Sequence, residues 1–77
     1  MTFETVQGII VKNLSVDKSK VTMEADFVTD LGADSIDLVE IYMDLEDTFK
    51  LSIPDDELPN IKKVGDLVKF IDEKTGK

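Results

Sequence analysis

The chain has 77 residues, 17 of them acidic and 9 basic, for a formal net charge of -8, with no histidine and no cysteine. The common general base and the common thiol nucleophile are therefore missing, along with any disulfide framework or thiolate metal site. The acidity argues against binding a phosphate backbone, because Lys and Arg are what neutralise nucleic acid.

A domain this small buries only about 60–65% of its unfolded surface, which leaves little room for a deep cleft. Residues 1–77 read as one domain and as a non-enzyme. Hydrophobic content of 42% fits a globular chain, and 6% aromatic with no Trp makes the core mainly aliphatic. No basic leader and no long apolar run are present, so neither a signal peptide nor a membrane span is expected. The absence of cysteine suits the reducing cytoplasm. A basic patch on a protein partner is the natural electrostatic complement.

Phe3, Val6, Ile10 and Leu14 fall on one stripe at helical spacing, with Glu4, Gln7, Lys12 and Asn13 elsewhere. The spacing predicts a helix over 3–14 with Thr2 as its N-cap, and Gly8 inside it costs about 1 kcal/mol relative to Ala. Residues 15–34 show no sustained period. A loop this long needs function or packing to justify it, and Phe27 and Leu31 are its expected anchors, with Gly32 turning the chain into the next helix.

The second helix is predicted over 35–50, capped by Asp34 or Ser35, with Asp34 and Asp37 spaced as a capping box. Leu38, Ile41, Leu45 and Phe49 form one apolar stripe, with Tyr42 at its margin. Ile36, Val39 and Met43 form a second stripe on a different side, interleaved with acids. One core face needs only one stripe, so the second suggests a partner surface. Pro54 is placed in the first turn of a short helix through Asp55, Asp56, Glu57 and Leu58, which Pro59 should end. Val64, Leu67, Val68 and Ile71 mark a last helix with Lys69, Asp72, Glu73 and Lys74 outward and Gly76 beyond its end. The expected architecture is all-α: a small four-helix bundle of three main helices and one short one, with a long loop between the first two.

Ser35 at a helix start has an ordinary explanation, the capping of an orphan backbone N–H. Its context adds more: six acids lie between positions 34 and 47, and no Lys or Arg intervenes before Lys50. A calcium-binding helix-loop-helix needs Gly sixth and Glu twelfth in its loop. Counted from Asp26 those positions are Leu31 and Asp37, and with Gly32 sixth the loop would run from Phe27 to Leu38, so that reading fails.

Leu31-Gly32-Ala33-Asp34-Ser35-Ile36-Asp37 resembles the signature around the phosphopantetheinylated serine of bacterial acyl carrier proteins. Val39-Glu40-Ile41, Leu45-Glu46-Asp47, Ile53-Pro54-Asp55-Asp56-Glu57 and Val64-Gly65-Asp66 fit the same family, so the resemblance covers nearly the whole chain. It implies that Ser35 carries 4′-phosphopantetheine from coenzyme A, whose thiol holds acyl intermediates as thioesters for fatty acid synthesis. It further implies that Ile36, Val39 and Met43 dock on apolar patches of partner enzymes while Asp34, Asp37, Glu40, Asp44, Glu46 and Asp47 meet their Arg and Lys. Those partners would be a phosphopantetheinyl transferase, ketoacyl synthases, reductases, a dehydratase and acyltransferases, met by a cytoplasmic monomer. The runner-up readings are a carrier for a specialised polyketide or lipid pathway, and an unmodified acidic interaction module. Tyr42, Asp44 and Leu58-Pro59-Asn60 depart from the usual family pattern, at positions that bear on acyl-pocket volume and partner preference rather than attachment.

Overall fold

The computed structural model describes residues 2–76. Three α-helices, α1 (Thr2–Leu14), α2 (Ser35–Phe49) and α3 (Val64–Thr75), are joined by segments containing two 3₁₀ helices, Lys18–Lys20 and Asp55–Asn60. Among the described residues there is no strand, only a lone antiparallel bridge between Asp26 and Lys63. The core is aliphatic as composition requires, with Val6, Ile10, Ile41, Leu45, Leu67 and Ile71 wholly buried. α1 packs against both α2 and α3, while α2 and α3 approach each other less closely. Ile41 and Leu45 of α2 and Val64, Leu67 and Ile71 of α3 belong to one buried cluster with Val6 and Ile10 of α1, and Leu38 is partly buried against it.

The expected cap at Thr2 is not one. Thr2 is already helical, and its hydroxyl donates to Asp72 near the end of α3. That long-range contact also turns Asp72 inward, against the expectation that it faces water. Gln7 departs from the pattern too: it is buried, and its amide donates to the carbonyls of Lys18 (3.2 Å) and Val21 (3.0 Å). A polar side chain pays no burial penalty when each donor finds an acceptor, and here the acceptors hold the loop on α1.

The long loop is built rather than slack. Val21, Ala25, Phe27, Leu31 and Ala33 are buried, so Phe27 and Leu31 anchor it as expected. Its backbone is clamped to the head of α3: Phe27 N–H donates to Lys62 C=O, Val64 N–H to Ala25 C=O, and Gly65 N–H to Met23 C=O at 2.8 Å. A Cβ on Gly65 would stand 2.8 Å from that Met23 oxygen, so glycine permits the approach. Gly32, at φ 69°, makes the left-handed turn that delivers the chain to α2.

The segment after α2 corrects two expectations. Pro54 precedes the short helix rather than opening it, and Pro59 lies inside it instead of ending it. The helix is 3₁₀, whose φ range of about -50° to -70° contains proline's fixed φ, so the turn continues with one donor lost. Gly76 ends α3 in the left-handed conformation, at φ 78°.

Candidate functional site

The head of α2 is set by two aspartates. Asp34, with extended backbone (φ -101°, ψ -176°), is the N-cap. Its Oδ1 accepts the N–H of Asp37 at 2.9 Å, and Asp37 Oδ2 accepts the N–H of Asp34 at 3.2 Å. The predicted capping box is therefore formed, with Asp in both roles.

Ser35 is left without a capping task. It is the first helical residue and is exposed, and among the described residues its hydroxyl has no hydrogen-bond partner. Nor do the backbone N–H groups of Ser35 and Ile36 have one among the described residues. Two open donors at the positive end of a fifteen-residue helix form a local environment that accepts an anion. An anionic group held on the Ser35 oxygen would meet those two donors. The neighbouring carboxylates of Asp34 and Asp37 would oppose its charge on the side facing them.

Down α2 the two apolar stripes separate as predicted. Ile41 and Leu45 are in the core, with Leu38 and Phe49 partly buried against it. Ile36, Val39 and Met43 are 70, 53 and 61% exposed, which is unusual for large apolar side chains lying within a few turns of one another. Tyr42 is not marginal but buried, and burial pushes its phenol pKa above the usual 10.0.

The acids sort into two groups. Asp34, Glu40 and Asp47 are exposed beside the apolar stripe. Asp44 and Glu46 are half-buried and have partners within the fold: Asp44 Oδ2 accepts from Asn13 Nδ2 on α1 at 2.9 Å, and Glu46 Oε2 accepts from Ile53 N–H at 2.7 Å. Sequence spacing does not reveal those commitments, because both partners are distant in the chain or lie past a helix end.

A groove of about 200 Å³ opens alongside, lined by Val39, Tyr42, Met43, Glu46, Ile53 and Leu58. Tyr42 and Leu58 thus line one groove, as their expected bearing on the acyl pocket requires, whereas Ile53 carried no such expectation. Ile53 and Leu58 come from the segment around the 3₁₀ helix, and the local signal for Ile53 is an apolar residue directly before Pro54 in a largely polar stretch.

This arrangement is one that known proteins share. Residues 4–71 match the family described as "Phosphopantetheine attachment site". Acyl carrier proteins of Helicobacter acinonychis and Helicobacter pylori are each 51% identical to the chain over 71 residues, covering 92% of it and 91% of themselves. A solved structure of a candidate acyl carrier protein from Mycobacterium tuberculosis superposes with a TM-score of 0.83 at 33% identity, covering 90% of this chain and 92% of that one. The chain belongs to the acyl carrier protein family, whose prosthetic group is 4′-phosphopantetheine.

Proposed function

We propose that Ser35 is the residue that carries 4′-phosphopantetheine, and that residues 1–77 act as one carrier domain supplying acyl thioesters to fatty acid synthesis. The observation that carries the assignment is the division of labour at the head of α2. Asp34 performs the cap, so Ser35 presents an unpartnered hydroxyl to solvent beside two open N–H groups. The bound group would supply the thiol that this cysteine-free chain lacks. The chain's own contribution is presentation: a rigid helix head, an exposed attachment oxygen and a charged face beside it. That is the role of a carrier and not of a catalyst.

Ile36, Val39 and Met43, rimmed by Asp34, Asp37, Glu40 and Asp47, support docking on partners that present apolar patches edged by Arg and Lys. The transferase that installs the group and the synthases, reductases, dehydratase and acyltransferases that use it are the expected partners. Among the described residues no helix is long and apolar enough to cross a membrane. A monomer acting in the cytoplasm is consistent with that and with the charge. Intact mass after co-expression with a phosphopantetheinyl transferase, with fragmentation to locate the adduct, tests the reading. An adduct on any residue but Ser35, or none at all, would overturn it.

A further inference from the structure

Asp26 closes a clasp in the loop that leads to Ser35. Its Oδ1 accepts the N–H groups of Val28 (2.9 Å) and Thr29 (3.0 Å), and its own N–H donates to Asp30 Oδ2 at 2.7 Å. Its carbonyl accepts the N–H groups of Asp30 and Leu31, each at 3.1 Å. A single turn of this kind does not persist in water by itself, and its leading N–H groups need an acceptor. The Asp26 carboxylate is that acceptor. The turn is fixed to the body of the fold, because Phe27 N–H donates to Lys62 C=O and Val64 N–H to Ala25 C=O, beside the bridge from Asp26 to Lys63. It is fixed to the site as well. Gly32 N–H donates to Val28 C=O at 3.1 Å and Ala33 N–H to Phe27 C=O at 2.8 Å, and the buried Ala33 leads directly into the Asp34 cap.

We propose that Asp26 is a positioning residue for the modification of Ser35, acting through the turn that it closes and not by touching either reactant. This inference rests on the assignment of Ser35 as the attachment residue. In the transfer, the Ser35 oxygen forms a bond to phosphorus as the P–O–P linkage of coenzyme A breaks. The hydroxyl proton passes to a base on the transferase, and adenosine 3′,5′-bisphosphate leaves. Ser35 lies in the first turn of α2, whose opening backbone bond runs from Leu38 N–H to Asp34 C=O at 3.0 Å. The attacking oxygen is therefore placed by where Asp34 enters the helix, and Asp34 enters from Ala33. When the clasp opens, Ala33 loses its fixed origin and the head of α2 is free to fray. Misplacing a reacting group by about 1 Å can cost about 10²-fold in rate. Val39, Glu40 and Met43 lie deeper in α2, beyond the first turn, so the docking face is kept while the attacking oxygen is not.

Modification by a phosphopantetheinyl transferase, followed by intact mass over a range of carrier concentrations, separates kcat from KM. Amide hydrogen exchange read by NMR reports the turn. Asp26→Ala should lower kcat by about tenfold and leave KM within about twofold, since the docking face is unaltered. Asp26→Asn, whose Oδ1 still accepts, should keep kcat within about threefold of the unaltered chain, as a neutral bond weaker than the charge-assisted one. Exchange at the Ala33 amide should speed in Asp26→Ala far more than in Asp26→Asn, while the Ile10 amide in α1 stays protected. An intact Asp26→Ala protein modified at the unaltered rate overturns the positioning role and leaves the Ser35 assignment standing. A raised KM with unchanged kcat, or an Asp26→Asn protein as slow as Asp26→Ala, overturns it too, because either marks a charged contact with the transferase. No adduct on the unaltered chain, or one on another residue, overturns the Ser35 assignment and this role together. Should Asp26→Ala lose protection at Ile10, Asp30→Ala decides in its place, since it removes the acceptor of the Asp26 N–H from an exposed position. A lowered kcat with KM kept then supports the role, and an unchanged kcat overturns it.

Discussion

Asp34 and Asp37 cap each other's backbone at the head of α2, each carboxylate accepting the other residue's N–H, at 2.9 and 3.2 Å. This reciprocal pair takes the capping task away from the adjacent Ser35. A serine that had to cap α2 could not lose its oxygen to an ester without cost to the helix. With the cap on Asp34, the oxygen of Ser35 is free to be modified.

The first prediction follows from that separation. Ser35→Ala should abolish the phosphopantetheine mass increment and change unfolding free energy by less than about 0.5 kcal/mol, as for a surface change that removes no partner. Asp34→Ala should cost about 0.5–2 kcal/mol through loss of the cap. Urea midpoints and intact masses of both variants check it. A Ser35→Ala protein as destabilised as Asp34→Ala would mean that the serine caps after all.

The second prediction concerns the two faces of α2. Val39→Asp and Met43→Asp should leave the melting temperature nearly unchanged while slowing modification by the transferase, because both side chains are more than half exposed. Glu40→Lys should slow modification as well, and association of the unaltered chain should weaken as salt rises. Ile41→Ala, at a wholly buried position, should instead cost about 2–5 kcal/mol. Parallel thermal melts and modification rates distinguish the faces, and the assignment fails if the aspartate variants unfold while Ile41→Ala is tolerated.

Much of this was legible in the sequence, for a physical reason. The three α-helices carry strong 3.6-residue periods, and the capping box and the glycine stop are local signals that need no tertiary context. What sequence could not show depended on distant partners. Gln7 is polar by composition yet buried, because Lys18 and Val21 offer it carbonyls. Asp72 lies on the charged side of its helix yet turns to Thr2, 70 residues away. Pro59 signals a helix stop only if the helix is α. Tyr42 has the amphipathic form of a boundary residue, yet it is buried within the core cluster. At the site, the serine, the exposed stripe and the bearing of Leu58 on the pocket were readable, whereas the part of Ile53 in the groove's second wall was not.

Two glycines give a third prediction with opposite signs. Gly8 lies in an exposed part of α1, and a Cβ there would meet nothing within 4 Å, so Gly8→Ala should stabilise by about 0.5–1 kcal/mol. Gly65→Ala gains a similar propensity of about 1 kcal/mol. Against that, its Cβ would press on a backbone oxygen at 2.8 Å, which no rotamer change relieves. Moving the Met23 carbonyl also disturbs the Gly65 N–H bond to it, and overpacking of this kind costs about 1–3 kcal/mol. Chemical denaturation should therefore find Gly8→Ala more stable than the unaltered chain and Gly65→Ala less stable.

Stability should respond to pH at both extremes. Hydrogen bonds from the backbones of Thr29 and Val28 hold the Asp26 carboxyl below its ordinary 3.8. A depressed value means that its contribution is complete above the unfolded pKa and is lost as pH falls through the folded one. Asp26→Asn, which keeps an acceptor but does not titrate, should remove that part of the acid sensitivity. Tyr42 runs the other way. Burial favours the neutral phenol, so its contribution is complete below pH 10.0 and disappears as pH rises through the raised folded value. Tyr42→Phe should flatten the alkaline limb. Denaturant midpoints across both ranges check the signs, and alkaline destabilisation unchanged in Tyr42→Phe would assign it to other groups.

The last prediction places the acyl chain. The groove between α2 and the 51–60 segment is lined on one side by Val39, Tyr42 and Met43 and on the other by Ile53 and Leu58. It lies beside the aliphatic core, one to three turns along α2 from Ser35. A chain moved from water into such surroundings gains about 0.8 kcal/mol per CH₂, provided the lining closes on it without voids. Loaded protein should therefore melt at progressively higher temperature as the acyl group lengthens, until the space is full. Tyr42 should set where that plateau falls, because it is a buried aromatic lining the groove and a larger chain must displace it to go deeper. Tyr42→Val should consequently lower the stability of the unloaded protein while extending the rise to longer chains. The opposing signs matter, since a purely structural loss would depress every member of the series equally. Melting curves of both proteins across a ladder of acyl lengths measure it, with methyl resonances reporting burial. A series that is flat in both proteins, with methyls exposed to solvent, would place the chain outside the bundle and leave the Ser35 assignment untouched.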